Sequence, residues 1–254
     1  MGEAGRDALR VDFYRAVRLE FHGARSSSGA GLFPYRELDD AAGLTESVAA
    51  DLSDFHTVAN AQHTMTALLH QSIYSRLAVY EDVNDAGRLN VYPVMRRVVG
   101  GRAADHWAAS LSQVSRFETE VLAHRDNLAA LMRMPGRWVD RIRQRRPTRK
   151  LILDRDNSVS ETYGDQEGTA YNGHFGCACY PPMFPLNQNG DVEYANLRPG
   201  NVARADDGRS ALEPVIGRYR GLNVPRFFRA DAAFAIPGLY ELLEAEGYRY
   251  AIRL

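Results

Sequence analysis

The chain has 254 residues, 45% of them hydrophobic, which is enough for one large domain or two ordinary domains with packed cores. A formal charge of −1 excludes a uniformly basic surface, and no apolar run approaches the length of a membrane span. No apolar signal-peptide segment follows Met1, so we expect a cytoplasmic protein. The two cysteines, Cys177 and Cys179, are too close together for a structural disulfide and too few for a zinc site.

The first half of the chain predicts an arm followed by helices. Residues 1–33 have only a weak pattern, and the Gly- and Ser-rich stretch from Gly23 to Gly31 is typical of a flexible connector. Residues 34–148 are predicted to form a mostly helical domain. Between Gln62 and Val79, for example, apolar residues recur at helical spacing.

A further helix is predicted from Arg137 to Arg146, and one of its faces carries a stripe of arginines. Arg137, Arg141 and Arg145 follow one another at intervals of one helical turn. Arginine is a good bidentate partner for phosphate groups. The stripe is equally compatible with phosphate contacts and with an ordinary solvated surface.

After Pro147 the pattern changes from helices to short strands. The predicted strands are Lys150–Asp156, Phe175–Leu186, Asp191–Leu197, Arg226–Asp231 and Tyr248–Leu254, with predicted helices at Leu212–Tyr219 and Gly238–Glu246. The order is βββ-α-β-α-β, in which three antiparallel strands precede a parallel one. This order predicts an α/β, ribonuclease-H-like catalytic domain at residues 149–254, preceded by the helical domain.

Two aspartates, Asp156 and Asp231, each close a hydrophobic strand and are each followed by small residues. In a ribonuclease-H-like sheet these two strand ends lie side by side, so the carboxylates would converge. A carboxylate at such a position is costly to desolvate unless it holds a cation or a proton. The pair predicts a shared site for Mg²⁺ and chemistry on phosphodiesters. The alternative for each aspartate alone is a cap on the following turn.

Several unusual segments occur in a fixed order along the chain. They are Tyr35–Asp40, Tyr80–Asp85, Ser112–Glu118, Leu153–Ser160, Tyr163–Gly168, Tyr171–Tyr180, Leu197–Val202, Leu212–Val215, Phe228–Ala235 and Tyr250–Leu254. Together they closely resemble the DDE transposases of bacterial insertion sequences, in particular the insertion-sequence 1380 family. The resemblance covers nearly the whole chain from about Pro34.

The resemblance implies an enzyme that cleaves and transfers DNA strands, with Mg²⁺ or Mn²⁺ held by two aspartates and a glutamate. Its partners would be double-stranded DNA with terminal inverted repeats and a second copy of the chain in a synaptic complex. It places the protein at the bacterial nucleoid, away from membranes. The helical domain would then serve DNA binding or oligomerisation, with Arg137, Arg141 and Arg145 as DNA contacts.

The two aspartates of the family pattern map onto Asp156 and Asp231. Asp154 is the neighbouring alternative to Asp156, or an auxiliary metal ligand. Its side chain is expected on the opposite face of the sheet if the strand is regular there.

The family's glutamate has no clear counterpart. Glu241, Glu244 and Glu246 lie on the helix directly after the fourth strand, and we interpret them as surface charges. The chain ends at Leu254, within the strand that would precede the glutamate, so we expect a C-terminally truncated transposase. Two hypotheses follow: an active enzyme fragment, or an inactive remnant that binds DNA or associates with itself.

The segment Leu153–Val159 also resembles the first motif of haloacid-dehalogenase-type phosphatases. There Asp154 would be the nucleophile and Asp156 the general acid. Such enzymes need a basic residue further along the chain, usually a lysine. Because Lys150 is the only lysine, we reject this interpretation.

Overall fold

The computed structural model describes residues 9–14, 16–19, 29–54, 62–164, 166–198 and 208–253, with only the main chain at a few of them, including Asp156 and Asn157. The chain divides into two compact units, Met1–Ala130 and Leu131–Leu254. In these described ranges, no helix is both long and apolar enough to cross a membrane.

The first unit is mainly helical. Its elements are β1 Leu9–Arg10, β2 Arg18–Leu19, α1 Leu32–Ala42, α2 Leu44–Ala49, α3 Met65–Leu77, α4 Ala86–Leu89, α5 Pro93–Val99, α6 Arg102–Asp105, α7 Leu111–Arg116, a π-helix at Phe117–Leu122 and the start of α8 Arg125–Arg145. Val11 and Leu32 are buried in one cluster with Met95 of α5. Part of the predicted flexible arm therefore belongs to the folded unit, which corrects that prediction. The connector predicted at Gly23–Gly31 lies mostly outside the described residues.

A buried polar network joins the first three helices. The Asp39 carboxylate accepts hydrogen bonds from the Thr45 main-chain N–H at 2.8 Å, the Thr45 hydroxyl at 2.7 Å and the Tyr74 hydroxyl at 3.0 Å. His70 Nε2 lies 3.4 Å from the same carboxylate. Burial opposes ionisation of Asp39, but the hydrogen bonds from His70 and Thr45 outweigh it and lower the pKa of Asp39 to about 2. The carboxylate therefore stays ionised and holds α1, α2 and α3 together.

The second unit contains most of the strands. Its elements after α8 are β3 Leu151–Asn157, β4 Ser160–Glu161, β5 Ala170–Asn172, β6 Cys177–Tyr180, β7 Met183–Asn187, α9 Gly208–Tyr219, β8 Arg226–Ala230, α10 Pro237–Ala245 and β9 Arg249–Ile252. The larger sheet has the order β7-β3-β8-β9, and a smaller antiparallel sheet has the order β4-β6-β5. β3 is antiparallel to β7 and parallel to β8, and β8 is parallel to β9.

One face of the larger sheet forms the core of this unit. Leu153 of β3 and Phe228 of β8 are buried against Ile216 of α9 and Leu243 of α10. These apolar contacts fix β3 and β8 beside each other, and the candidate site lies at the carboxyl ends of these two strands.

Two predicted strands differ from the structure, and proline explains both differences. The strand predicted at Phe175–Leu186 is broken into β6 and β7 at Pro181–Pro182, because proline lacks an N–H donor and fixes φ. The segment predicted at Asp191–Leu197 makes only isolated bridges to β7. β7 contains Pro185, which accepts a hydrogen bond from Glu193 N at 2.8 Å but cannot donate one in return.

The boundary between the units also differs from the one predicted at residue 148. The second half of α8 packs on the strand-containing unit: Asp140 pairs with Arg218 at 2.9 Å, and the Met132 carbonyl accepts a hydrogen bond from Ala195 N at 3.0 Å. Gly136 allows this close approach, because a Cβ there would meet the Glu193 carbonyl oxygen. These tertiary contacts assign residues 131–145 to the second unit.

Candidate active site

The two predicted aspartates lie at the carboxyl ends of neighbouring parallel strands: Asp156 is the penultimate residue of β3, and Asp231 follows β8. β3 and β8 pair with Asp154 opposite Arg229, an offset of 229 − 154 = 75 residues. Asp231 is the first residue after β8 and is still extended, with φ −77° and ψ 177°. Because 231 − 156 is also 75, continuing the register for two residues sets Asp231 level with Asp156 on strands about 4.8 Å apart. The pairing of β3 with β8 is observed as far as Asp154 and Arg229, and its continuation predicts that positions 156 and 231 lie close together at the carboxyl ends of the two strands.

The Asp231 carboxylate caps the turn that follows it. Its Oδ1 accepts a hydrogen bond from Ala233 N at 3.1 Å, at the start of a 3₁₀ turn from Ala232 to Phe234. This is the capping role that the sequence left open as an alternative. Capping does not exclude metal binding, because an ionised carboxylate has about four lone-pair sites and this bond uses one. The side chain is solvent-exposed, which leaves it accessible to a cation.

Asp154 forms an ion pair on the adjacent strand. Arg229 donates from Nε at 2.6 Å and from Nη2 at 2.5 Å to its two carboxylate oxygens. The hydrogen bonds, followed by the charge of Asp154, raise the pKa of Arg229. Asp154 therefore already has a cationic partner, and a metal ion at this carboxylate would compete with Arg229.

The expected placement of Asp154 on the face opposite Asp156 is wrong. β3 keeps one register against β7 from Leu153 to Asn157. Because successive residues of a regular strand alternate between faces, positions 154 and 156 share a face and position 155 lies on the other. The side chain of Asp156 lies outside the described part of the structure.

Arg155 lies on the core face, directly beneath this edge of the sheet. Its side chain is only 7% exposed, and its guanidinium carbon lies 4.0 Å from the centre of the Phe234 ring. Nε contacts the sulfur of Met183 at 2.9 Å, and Nη1 is buried without a hydrogen-bond partner. The arginine therefore packs on the turn that carries Asp231.

Burial and charge act against the ionised form of this arginine. Burial, followed by repulsion from Arg198, lowers the pKa of Arg155 to about 9, and attraction to Asp231 opposes the shift. Arg155 is therefore electrostatically coupled to one of the candidate carboxylates. The sequence indicates this only indirectly, through an arginine where the alternation of Leu151 and Leu153 favours an apolar residue.

The glutamates that follow Asp231 have surface partners. Glu246 pairs with Arg220 at 2.6 Å, and the hydrogen bond from Arg220 lowers the pKa of Glu246. Glu244 accepts a hydrogen bond from the Tyr250 hydroxyl at 2.8 Å. These contacts agree with the interpretation of both residues as surface charges.

The arginine stripe lies on the part of α8 that belongs to the second unit. Arg137 and Arg145 are exposed and Arg141 is half-buried. Arg143, which is outside the stripe, contacts other side chains of the unit. Its guanidinium carbon lies 4.1 Å from the centre of the Tyr219 ring, and its Nη1 lies 3.0 Å from Asp140 Oδ1. The arginines of this helix therefore differ in how far they are available to an external partner.

A basic groove adjoins the end of α8. Its cavity has a volume of about 740 Å³, and its lining includes Arg146, Arg149 and Lys150 together with the amide side chains of Gln188 and Asn189. Gln188 Oε1 accepts a hydrogen bond from Ile152 N at 3.0 Å, which fixes the wall of the groove to the start of β3. The groove lies at the amino end of β3, whereas the two aspartate positions lie at the carboxyl end.

The donor groups at the aspartate edge suit a hard divalent cation in type. Mg²⁺ prefers carboxylate oxygens and keeps several water ligands, so one or two protein carboxylates are commonly its protein ligands. Within the described residues, however, no group of three or more His, Cys, Asp and Glu side chains is arranged to hold a metal ion. The chemistry of the donors fits Mg²⁺ or Mn²⁺, and the described side chains do not by themselves complete a site.

Comparison with known proteins identifies the family of the chain. The sequence model of the family described as "Transposase DDE domain group 1" matches residues 9–254. The solved structure titled "Crystal structure of the Mos1 Strand Transfer Complex" is 16% identical, with 91% of this chain and 60% of that chain covered. Its TM-score of 0.24 does not establish a shared fold, and this chain spans about three fifths of that protein's length. No curated protein matches. Because the family model spans almost the whole sequence, the chain belongs to the transposases with a group 1 DDE domain.

Proposed function

We propose that the chain carries the catalytic aspartates of a DNA transposase that cleaves DNA at insertion-sequence ends and transfers the strands. The observation that carries the proposal is the parallel register of β3 and β8, which would set Asp156 level with Asp231 if it continued for two residues, in a chain of the DDE family. In-line displacement at phosphorus needs carboxylates placed together in this way, because they hold the cations on which the phosphate binds.

The strand order supports a ribonuclease-H-like domain. The first strand, β3, lies between an antiparallel and a parallel neighbour, and the parallel strands β8 and β9 follow each other with α10 between them. The sequence predicts that the first and fourth strands are neighbours, and β3 and β8 are paired in this way. The ordered motifs of the sequence support the narrower assignment to the insertion-sequence 1380 family.

In this proposal Asp156 and Asp231 hold Mg²⁺ or Mn²⁺, and Asp154 acts as an auxiliary ligand when Arg229 releases it. Metal ions held there would supply Lewis-acid activation of the attacking oxygen and stabilisation of the leaving oxygen at phosphorus. The chain's own contribution is positional. The register of β3 and β8, continued by two residues, would set the two aspartates level, and the hydrogen bond from Ala233 N orients the Asp231 carboxylate.

The proposed partners are double-stranded DNA with terminal inverted repeats and a second copy of the chain. The exposed arginines of the α8 stripe and, separately, the basic groove at the end of α8 support contacts with DNA phosphates. The proposed place of action is the bacterial nucleoid, where this substrate is found.

A strand-cleavage assay tests the proposal. Purified protein is incubated with Mg²⁺ or Mn²⁺ and duplex DNA that carries the element's terminal repeats. We expect metal-dependent nicking, and loss of at least about 100-fold in rate in Asp231→Asn, because one metal ligand loses its charge. The matched control is Glu213→Gln, which removes a surface carboxylate that pairs with Arg209 on α9.

Metal binding provides a second readout that does not depend on catalysis. Mn²⁺ that binds only the folded protein raises its melting temperature. We expect this rise for the unaltered protein and for Glu213→Gln, and a smaller one for Asp231→Asn. DNA binding without nicking and without a metal-dependent rise would instead favour an inactive DNA-binding remnant.

A further inference from the structure

The first unit contains a polar cavity, and an exposed tryptophan is one of the residues that line it. The cavity has a volume of about 690 Å³ and is bordered by the loop between α6 and α7. Trp107 lies on this loop and is 66% exposed. An indole ring is among the largest apolar groups of a protein, and leaving it in water forgoes a correspondingly large gain from burial. The exposed indole therefore offers a large apolar face to a ligand that enters the cavity.

The main chain around Trp107 is held in place by buried hydrogen bonds. Ala108 N donates to the Asn90 carbonyl at 2.9 Å. Ala109 exchanges two hydrogen bonds with the buried amide of Gln71, at 2.8 Å and 2.9 Å. The loop then passes directly into α7, whose first turn is capped by Ser110 and Gln113. The indole is thus presented on a fixed backbone, which lowers the entropy cost of binding a partner.

The cavity is basic although the unit around it is acidic. Residues 1–130 contain 13 Arg and no Lys against 17 Asp and Glu, a formal charge of 13 − 17 = −4. The residues that line the cavity nonetheless include three arginines and one acid, Asp105. Arg96 is occupied by the carbonyls of Ala103 and Ala104, at 3.0 Å and 3.2 Å. Arg102 and Arg116 are exposed on either side of Trp107 in sequence.

We propose that this cavity, the Trp107 pocket, binds a DNA strand with one unstacked base on the indole and phosphates at Arg102 and Arg116. Aromatic stacking accepts any base, because every base has a π-face, and arginines attract the backbone. A protein partner would favour an apolar surround, whereas the lining here is mostly polar and basic. The inference rests on the proposed function, since it takes DNA as the substrate of the chain.

The protein contains only two tryptophans, so fluorescence can report on this pocket directly. Trp138→Phe leaves Trp107 as the sole tryptophan, and Trp107→Phe leaves Trp138. The probe is a DNA duplex with a single-stranded overhang, titrated at fixed salt. We expect the emission of Trp138→Phe to be quenched as DNA binds, because the base stacks on the indole. Trp138 is next to Arg137 of the α8 stripe, so the emission of Trp107→Phe should respond equally to the overhang duplex and to a blunt duplex.

Affinity is measured in parallel by the anisotropy of labelled DNA. Trp107→Ala should weaken binding of the overhang duplex roughly tenfold, and Trp107→Phe should recover part of that loss. A blunt duplex should bind less tightly than the overhang duplex and show no dependence on Trp107. Arg102→Ala and Arg116→Ala should each reduce the salt slope by roughly one unit. Arg88→Ala, an exposed arginine of the same unit outside the pocket, should not.

The outcomes separate this inference from the proposed function. If Trp107→Ala binds DNA with unchanged affinity and the emission of Trp107 is not quenched, the Trp107 pocket does not bind DNA. The transposase proposal would then still stand. Equal dependence of blunt and overhang duplexes on Trp107 would overturn the unstacked base. Absence of DNA binding by the unaltered protein would contradict the proposed function itself.

Discussion

At the scale of single residues, candidate ligands could be recognised from sequence but their partners could not. Asp156 and Asp231 stand out because an acid at the end of an apolar strand is unusual. The ion pair between Asp154 and Arg229 joins residues 75 positions apart, and no local pattern predicts it. Arginine is usually exposed, and only the packing of β3 shows that Arg155 is buried.

The environment of Arg155 leads to a prediction about stability. Its guanidinium is desolvated, repelled by Arg198 and left with one buried nitrogen unpaired. Replacement by an apolar residue of similar length removes these costs, at the loss of the cation–π contact with Phe234. We expect Arg155→Met to raise the free energy of unfolding by about 1 kcal/mol, measured by urea denaturation.

Arg229→Met is the matched control for this experiment. Arg229 lies on the same sheet but its side chain is exposed, and its ion pair with Asp154 is screened by water. We expect its replacement to change the stability by less than about 0.5 kcal/mol. A loss of stability in Arg155→Met would mean that the contacts with Phe234 and Met183 outweigh the desolvation of the charge.

At the scale of elements, local signals predicted most helices and strands, and the two predicted strands that differ are the ones in which proline interrupts the pairing. The predicted helix at Gln62–Val79 is observed as α3, Met65–Leu77. Its end is unusual: Val79 has φ +67° and is the one non-glycine residue with positive φ among the described residues. It donates its N–H to the Arg76 carbonyl at 2.9 Å, a position where glycine is normally preferred.

This strained helix end predicts a stabilising substitution. A β-branched residue in the left-handed region costs about 1–2 kcal/mol, and glycine removes that cost but adds some unfolded-state entropy. Val79 is 81% exposed, so little packing is lost. We expect Val79→Gly to raise the free energy of unfolding by about 1 kcal/mol in urea denaturation.

Val91→Gly serves as the comparison, since Val91 is also exposed but does not have positive φ. It should lose about 0.5–1 kcal/mol, because glycine there only increases the entropy of the unfolded chain. If both substitutions destabilise the protein equally, the conformation of Val79 is not strained.

At the scale of the whole molecule, charge separates the two units. Residues 131–254 contain 18 basic and 15 acidic residues, a formal charge of 18 − 15 = +3, whereas the first unit is acidic. A net charge of −1 hides this difference. The positive unit also contains the candidate aspartates, as expected if it receives the DNA backbone.

The stripe on α8 is tested by the salt dependence of DNA binding. Each phosphate contact that is lost lowers the slope of log K against log salt by about 0.9 for duplex DNA. If Arg137, Arg141 and Arg145 each contact a phosphate, their joint replacement by alanine should reduce the slope by roughly three. Binding is measured by anisotropy between 50 and about 200 mM salt, the range over which this effect is large.

A second triple variant controls for the loss of net charge. Arg209, Arg220 and Arg253 belong to the same unit, and the first two pair with glutamates on the surface. Their replacement removes the same charge, so an equal change of slope in both variants would exclude a specific role of the stripe. An unchanged slope in the first variant would remove the stripe from the interface.

The sequence by itself determined the DDE family and the approximate positions of β3 and β8, and it predicted the two candidate aspartates, because apolar runs, turn residues and motif order are local properties of the chain. Only the tertiary structure decided that β3 and β8 share a register of 75 residues, that α8 belongs partly to the strand-containing unit and that Trp107 remains exposed. These features depend on packing between residues far apart in the chain. Such contacts depend on how much apolar surface the whole folded chain buries and on whether its buried polar groups find hydrogen-bond partners. Neither property can be read from a short segment.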